Sequence, residues 1–277
     1  MTTVDAALAE ADEHGSVPTG RRWILRDSWT EATRHLRIIP RNSELLIFST
    51  IQPIMFVILF VYVFGDSIAA PPGFDNYKYQ YLLPGIFAQT VVFNSSFTGV
   101  GLAEDLSKGL VDRLRSLPMV HSAVLIGRTV SDLVRNVLSF TIMFVVAVLL
   151  GFRVKGTVGE AVAATLLLLF FSYAFSWIQA LIGLSVGSVE AANSAGFLWM
   201  FPLTFVSSAF VDTNNLPGWL QGFAEWQPFT KVTNATRALY NGIDPGADLW
   251  WALGWAVGIT VVFSALSIRK FNSSTSR

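Results

Sequence analysis

The sequence has no cysteine among its 277 residues. Disulfide bonds, thiolate nucleophiles and cysteine-based metal sites are therefore excluded. It also lacks a phosphate-binding loop, because that motif needs Gly-Lys-Ser/Thr and no lysine here follows a glycine. The three histidines, His14, His35 and His121, show no metal-ligand spacing. We expect no metal, no cofactor and no enzymatic activity in this chain, so a partner must bind any ATP that powers it.

Charged residues are scarce. They make up 14% of the chain, whereas soluble domains usually carry about a quarter. Six apolar runs each reach the length of about 20 residues that a helix needs to cross a bilayer. Only the third contains charges, Asp132 and Arg135, which are three residues apart and are expected to pair at the membrane interface. The sequence predicts an all-α integral membrane protein with six transmembrane helices, at residues 45–64, 81–102, 129–150, 161–186, 191–211 and 249–268.

Two segments precede the first run. Residues 1–20 are small, polar and acidic, which predicts a disordered cytoplasmic leader. Residues 21–41 alternate arginines with tryptophan, leucine and isoleucine, a pattern typical of an amphipathic helix in the membrane interface. With the N-terminus inside, the inner side holds fourteen Lys and Arg and the outer side five. This positive-inside bias predicts a plasma-membrane protein with both termini in the cytoplasm.

The longest outer connection is residues 212–248. Trp219, Leu220, Phe223 and Trp226 follow helical spacing there among polar residues. An apolar face of this kind would be exposed outside the membrane. We therefore expect short amphipathic, re-entrant helices that dip into the outer leaflet before the last span.

A charge-rich segment, residues 104–128, separates the second and third apolar runs on the predicted cytoplasmic side. Pro118 predicts the end of a short helix, Glu104–Leu117, with acids at its start and Arg113 and Arg115 near its end, as the helix dipole favours. We interpret the segment as the docking surface for a separate motor protein. The alternative is an ordinary loop that obeys the positive-inside rule.

Four strongly polar side chains lie within the apolar runs: Gln52, Gln89, Asn94 and Gln179. Such residues face a translocation path or hydrogen-bond neighbouring helices, and the sequence leaves both open. Proton- or sodium-coupled carriers generally need intramembrane acids or broken helices. The near absence of charge instead favours passage of an apolar or amphiphilic cargo, driven from outside the spans. A membrane scaffold without cargo, or a channel, would keep the same topology.

Three tracts resemble a known family: Tyr81-Leu-Leu-Pro84-Gly, Gly109–Met119, and Phe210-Val-Asp212 followed by Leu216-Pro-Gly-Trp-Leu220. They are similar to ABC-2 type permeases, in particular those of daunorubicin/doxorubicin-resistance exporters. The resemblance implies that residues 21–277 form the ABC-2 transmembrane domain. It also implies cargo ranging from anthracycline-like drugs to lipids and glycolipids, with no nucleic-acid partner.

The same resemblance implies an assembly. Two permeases, as two copies or as sister chains, would pair in the lipid bilayer with two copies of a cytoplasmic ATPase that binds ATP and Mg. The charged segment would contact that ATPase and couple ATP-driven closure to the pathway. The contact and coupling residues would be Glu104, Asp105, Lys108, Gly109, Arg113, Arg115 and Pro118.

Overall fold

The structure is a computed structural model that describes residues 43–64, 74, 76–109, 121–210 and 212–273. Within these ranges every regular element is helical. The predicted leader, the predicted interfacial helix and three predicted coupling residues, Arg113, Arg115 and Pro118, lie outside the described residues. The α-helices are α1 Ser43–Leu59, α2 Leu83–Asn94, α3 Ser96–Ser107, α4 His121–Leu149, α5 Val158–Gly183, α6 Val189–Phe205, α7 Gly218–Trp226, α8 Pro228–Asn241 and α9 Gly246–Ser273.

Four helical stretches are long and apolar enough to cross a membrane: Lys78–Ser107, Leu125–Leu149, Val158–Gly183 and Gly246–Ser273. They coincide with the second, third, fourth and sixth predicted runs. The first predicted run is helical too, because α1 continues into a π-helical turn at Phe60–Phe64. The described residues are therefore all-α, and four of their helical stretches have the length and apolarity of membrane spans, as the sequence predicts. The count of six spans stays a prediction.

The fifth predicted run, 191–211, is not helical to its end. α6 stops at Phe205, three residues after Pro202. Residues 207–210 then form buried turns. The guanidinium of Arg237 on α8 donates hydrogen bonds to the carbonyl oxygens of Ser208 and Ala209, at 2.6 and 3.4 Å. Backbone can leave a helix inside a membrane protein where other protein groups satisfy it in this way.

The long outer connection forms two different helices. α7 leaves Trp219 and Phe223 exposed, as its predicted apolar face requires. α8 packs inside the bundle against α5 and α9. The re-entrant position of the two helices in the outer leaflet stays a prediction. The polar residues Thr233 and Thr236 of α8 are fully buried, and the threonine hydroxyl of Thr236 donates to the carbonyl of Val232 at 2.8 Å. Local hydrogen bonds of this kind allow a polar helix to be buried.

Contacts at the two ends of the bundle give the helices alternating directions. Phe271 of α9 packs with Leu102, Leu125 and Trp177 at the end where α3 stops and α4 starts, which we call the loop end. At the opposite, far end, Asn241 donates a hydrogen bond to the carbonyl of Gln80 at 2.9 Å. Lys78–Ser107 therefore runs from the far end to the loop end.

α3 and α5 cross at very short range. A Cβ atom at Gly183 would overlap the backbone carbonyl of Gly99, and a Cβ at Gly99 would lie 2.5 Å from the carbonyl oxygen of Gln179. Small residues allow this close approach between membrane helices. The crossing fixes α3 against the bundle and so sets the position of the site.

Candidate functional site

A cavity of about 220 Å³ lies between α1, α2, α3 and α6. α1 contributes Gln52 and Phe56, and α6 contributes Asn193 and Phe197. The remaining wall comes from the α2–α3 stretch. None of the described residues that line the cavity is charged; they are Gln52, Pro53, Phe56, Gln89, Thr90, Phe93, Asn94, Ser96, Phe97, Asn193 and Phe197.

Three of the four polar residues predicted to line a path meet in this cavity: Gln52, Gln89 and Asn94. Gln52 is exposed at the cavity, whereas Gln89 and Asn94 are buried. The Nε2 donor of Gln89 finds no hydrogen-bond partner among the described residues. A buried amide without a partner is costly.

The fourth predicted residue, Gln179, lies elsewhere. It is completely buried between α5 and α6, and its Nε2 atom is 3.0 Å from the Met200 sulfur. Gly196 leaves room for this amide, because a Cβ there would lie 2.8 Å from its Oε1 atom. Gln179 therefore has a packing position between two helices and no contact with the cavity.

The aromatic residues of the site were not among the residues predicted from the sequence. Phe56 stacks on Phe60, with ring centroids 5.7 Å apart, and Phe60 stacks on Phe210 at 5.0 Å. The series continues from Phe210 through α6 and returns to the cavity wall at Phe93, by way of Phe205 and Phe201. The signal in the sequence was phenylalanine at helical spacing, at 56 and 60 and at 197, 201 and 205.

The predicted helix Glu104–Leu117 is interrupted at residues 108–109, and residues 110–117 lie outside the described part of the chain. α3 ends at Ser107, and Gly109 follows in the left-handed conformation with φ of 65°. Glycine adopts that conformation without strain and commonly terminates helices. Glu104 and Asp105 thus occupy the last turn of α3, where the helix dipole disfavours acids. Pairing with basic side chains offsets that cost.

Glu104 and Lys108 form an exposed pair at the loop end. The Lys108 ammonium lies 2.5 Å from Glu104 Oε1. The hydrogen bond with Glu104, together with its charge, raises the pKa of Lys108 above the ordinary lysine value. An exposed pair contributes little to stability. Both side chains are instead accessible to a partner.

Asp105 has an internal partner. Its carboxylate lies 3.1 Å from the Arg128 guanidinium on α4. Arg128 also contacts Asp132 at 3.2 Å, and Asp132 contacts Arg135 at 2.9 Å. The predicted pairing of Asp132 with Arg135 is confirmed. The sequence analysis had placed Arg128 in the charged loop, but this residue lies within helix α4 with its side chain largely buried.

Asn136, the next residue along α4, holds the junction between α2 and α3. Its Nδ2 atom donates to the carbonyl of Val91 at 3.0 Å, and its Oδ1 atom accepts from Asn94 at 3.3 Å. Ser172 of α5 donates to the same Val91 carbonyl at 2.8 Å. The cavity residue Asn94 is therefore oriented by α4. Among the described residues, no cluster of His, Cys, Asp and Glu suits a metal ion.

The described residues thus form an all-helical bundle with helices apolar enough to span a membrane, around an uncharged cavity with aromatic walls. Residues 27–241 match the ABC-2 type transporter family, and the chain belongs to that family.

Two similar proteins carry names that concern drug resistance. The "Daunorubicin resistance ABC transporter permease protein DrrB1" of Streptomyces coeruleorubidus is 32% identical over 228 residues, which cover 82% of this chain and 80% of that protein. The "Probable doxorubicin resistance ABC transporter permease protein DrrC" of Mycobacterium tuberculosis is 24% identical over 261 residues, covering 94% and 93%. The chain is thus an ABC-2 permease similar to those of drug-resistance exporters.

Proposed function

We propose that this chain is the permease subunit of an exporter that moves amphipathic, drug-like or lipid cargo out of the cytoplasm or inner leaflet. The observation that carries the proposal is the cavity between α1, α2, α3 and α6, with its phenylalanine walls and amide groups. Aromatic rings offer flat apolar faces to a ligand. The amides of Gln52, Gln89 and Asn193 offer hydrogen bonds without a charge.

The first candidate among the cargo classes is an anthracycline-type molecule. Its flat aromatic part would pack on Phe93, Phe97 and Phe197, and its carbonyl or hydroxyl groups would accept from Gln89. The names of the two relatives support this class. The second candidate is a lipid or glycolipid, which the apolar walls and the exposed side of the cavity at Gln52 also favour.

The energy source in this proposal is a separate ATPase. Two copies of it bind ATP and Mg and contact two permeases, which are copies of this chain or sister chains. The contact lies at the loop end, through Glu104, Asp105, Lys108 and Gly109 and through Arg113, Arg115 and Pro118. The chain crosses the plasma membrane six times, with α7 at the outer surface and both termini in the cytoplasm.

Reconstitution in liposomes tests this function. The permease is inserted with the ATPase encoded beside it, and daunorubicin movement is followed by its fluorescence. We expect uphill movement that requires ATP and the ATPase. A channel would instead conduct without nucleotide, and a scaffold would move nothing while binding its partners. Either of those results would contradict the proposal.

Two neighbouring variants on α6, one inside the cavity and one outside it, test whether the cargo binds in the cavity. Phe197 lines the cavity, whereas its neighbour Leu198 is 78% exposed and points away. Loss of one aromatic contact of about 1 kcal/mol corresponds to a fivefold change in affinity. Phe197→Ala is therefore expected to weaken daunorubicin binding about fivefold, and Leu198→Ala to leave it unchanged. Equal effects from both variants would place the cargo elsewhere.

A further inference from the structure

Four charged side chains form a continuous row between α3 and α4. Asp105, Arg128, Asp132 and Arg135 alternate in sign, and successive members are 3.1, 3.2 and 2.9 Å apart. We call them the ion-pair ladder. A single exposed pair would be unremarkable, but this row crosses from the loop end of α3 into the bundle.

The ladder becomes more deeply buried along its length. The exposed side-chain fraction falls from 19% at Asp105 to 14% at Arg128, 8% at Asp132 and 6% at Arg135. Removing one member of a buried pair leaves an uncompensated charge, which is strongly unfavourable. The four side chains are therefore constrained to keep their contacts when α3 or α4 moves.

The inner end of the ladder reaches the cavity wall. The Arg135 guanidinium carbon lies 4.7 Å from the centroid of the Phe97 ring, a cation–π contact. Phe97 lines the cavity and lies on α3, about two helical turns before Asp105. The ladder thus ties both ends of α3 to one stretch of α4.

Gly101 provides the space for this arrangement. It lies on α3 midway between Phe97 and Asp105, and a Cβ atom there would overlap the guanidinium of Arg128. The bidentate shape of arginine allows one side chain to hold Asp105 and Asp132 together. The absence of a Cβ atom at Gly101 leaves room for the Arg128 guanidinium in this position.

We propose that Arg128 and Asp132 are positioning residues for transport, which lock the last turn of α3 to α4. The end of a helix has fewer intrahelical hydrogen bonds than its middle, so contacts with a neighbouring helix help to hold it in place. With the ladder intact, force applied at Glu104–Lys108 moves α3 and α4 together and displaces Phe97 in the cavity wall. Without it, the last turn of α3 bends and the force is lost. This inference rests on the proposed function.

The test is the ratio of daunorubicin moved to ATP hydrolysed, measured in liposomes that contain the complete permease–ATPase complex. Arg128→Gln and Asp132→Asn are expected to keep ATP turnover within about twofold and to lower the ratio about tenfold. A purely structural role would lower transport and turnover in parallel, which overturns the proposal. The matched control is Lys231→Gln, which breaks a partly buried ion pair with Asp248 at the far end. It should leave the ratio unchanged.

Two further variants keep the test decisive if Arg128→Gln fails to fold. Asp105→Asn changes only the most exposed member of the ladder, and it should lower the same ratio. The double variant Asp105→Asn with Arg128→Lys should be no worse than the Arg128→Lys single variant, because the change at Arg128 already alters its contact with Asp105 as well as its contact with Asp132. Additive losses would show that the two residues act independently and would contradict the ladder.

A measurement without cargo separates this inference from the proposed function. 4-Fluorophenylalanine is placed at position 97, and its fluorine resonance is recorded before and after the ATPase is trapped with vanadate. The resonance should shift in the complex with the native ladder and stay unchanged in Arg128→Gln. Equal shifts of the resonance in the native complex and in the Arg128→Gln complex would overturn the proposed role of the ion-pair ladder. If the native complex moves no daunorubicin but the resonance responds as expected, the proposed cargo is wrong and the proposed role of the ion-pair ladder is still supported.

Discussion

In the proposed function, the buried amide of Gln89 is one of the groups that bind the cargo. Its Nε2 donor has no partner within the described part of the chain. An unmade buried hydrogen bond costs about 1–3 kcal/mol, and a ligand acceptor would recover part of that free energy. Gln179 is equally buried, but its Nε2 atom contacts the Met200 sulfur between two helices.

Gln89→Leu should therefore weaken daunorubicin binding about tenfold, which corresponds to one hydrogen bond of about 1.4 kcal/mol. Fluorescence titration of the purified permease gives the dissociation constant. Gln179→Leu is the matched control, because it removes a buried amide outside the cavity. A loss of affinity in the control that equals the loss at Gln89 would contradict the assignment of the cavity.

Gly109 lies two residues after the end of α3, and its positive φ restricts which residues can replace it. A residue with a Cβ atom costs about 1–2 kcal/mol in the left-handed conformation, and asparagine tolerates it better than valine or proline. We expect Gly109→Asn to retain export and Gly109→Val and Gly109→Pro to reduce it strongly, with membrane insertion intact. Export assays on equally inserted variants check this order. Unchanged export from Gly109→Pro would count against a coupling role.

At the scale of whole elements, α8 depends on one buried arginine. Arg237 donates to the carbonyl of Tyr81 at 3.0 Å and to that of Ser208 at 2.6 Å, and its guanidinium stacks on the Tyr81 ring at 3.6 Å. These contacts connect α8 to the start of the α2 stretch and to the turns after α6. The sequence analysis had counted Arg237 as one of the outer-side charges.

Arg237→Lys should destabilise the protein by about 3 kcal/mol, because a lysine ammonium cannot make the same set of fixed contacts and buried carbonyls lose their donor. Thermal unfolding in detergent, monitored through the aggregation of the unfolded protein, measures the loss of stability. Arg153→Lys is the control, since Arg153 is exposed at the same end of the bundle. An equal melting temperature for both variants would show that the α8 contacts contribute little.

Sequence patterns predicted which helices exist better than they predicted where each helix ends and which helices it contacts. Apolar run length predicted the spanning helices, because a bilayer demands about 20 apolar residues whatever the neighbours are. The end of α6 at Phe205 could not be predicted, because it depends on Arg237, which lies 32 positions further along the chain. The end of α3 at Ser107 was missed for a local reason. Gly109 was interpreted as part of a helix, although glycine often ends one.

The candidate site shows the same contrast between what local sequence patterns predict and what only tertiary packing decides. Hydropathy singled out Gln52, Gln89 and Asn94 as polar groups in apolar runs, and the fold brings all three to one cavity. Nothing local distinguished Gln179 from them, since only the packing of α5 against α6 separates it. Arg128 was misplaced because a charged residue near a loop suggests solvent, whereas Asp105 and Asp132 draw it into the bundle.

At the scale of the whole molecule, the central claim is that force enters at the loop end from the cytoplasm. The chain has no cysteine, so single cysteines can be introduced without background. Lys108 lies at the loop end, and Asn215 is exposed in the connection at the far end. In the proposed topology these two positions lie on opposite sides of the membrane.

The most direct measurement is labelling of Lys108→Cys and Asn215→Cys with a membrane-impermeant maleimide, in intact cells and in inside-out vesicles. We predict that Lys108→Cys reacts only in inside-out vesicles and that Asn215→Cys reacts only in intact cells. Reaction of Lys108→Cys in intact cells would place the loop end on the outer face. A cytoplasmic ATPase could not reach it there, and the proposed coupling would be wrong.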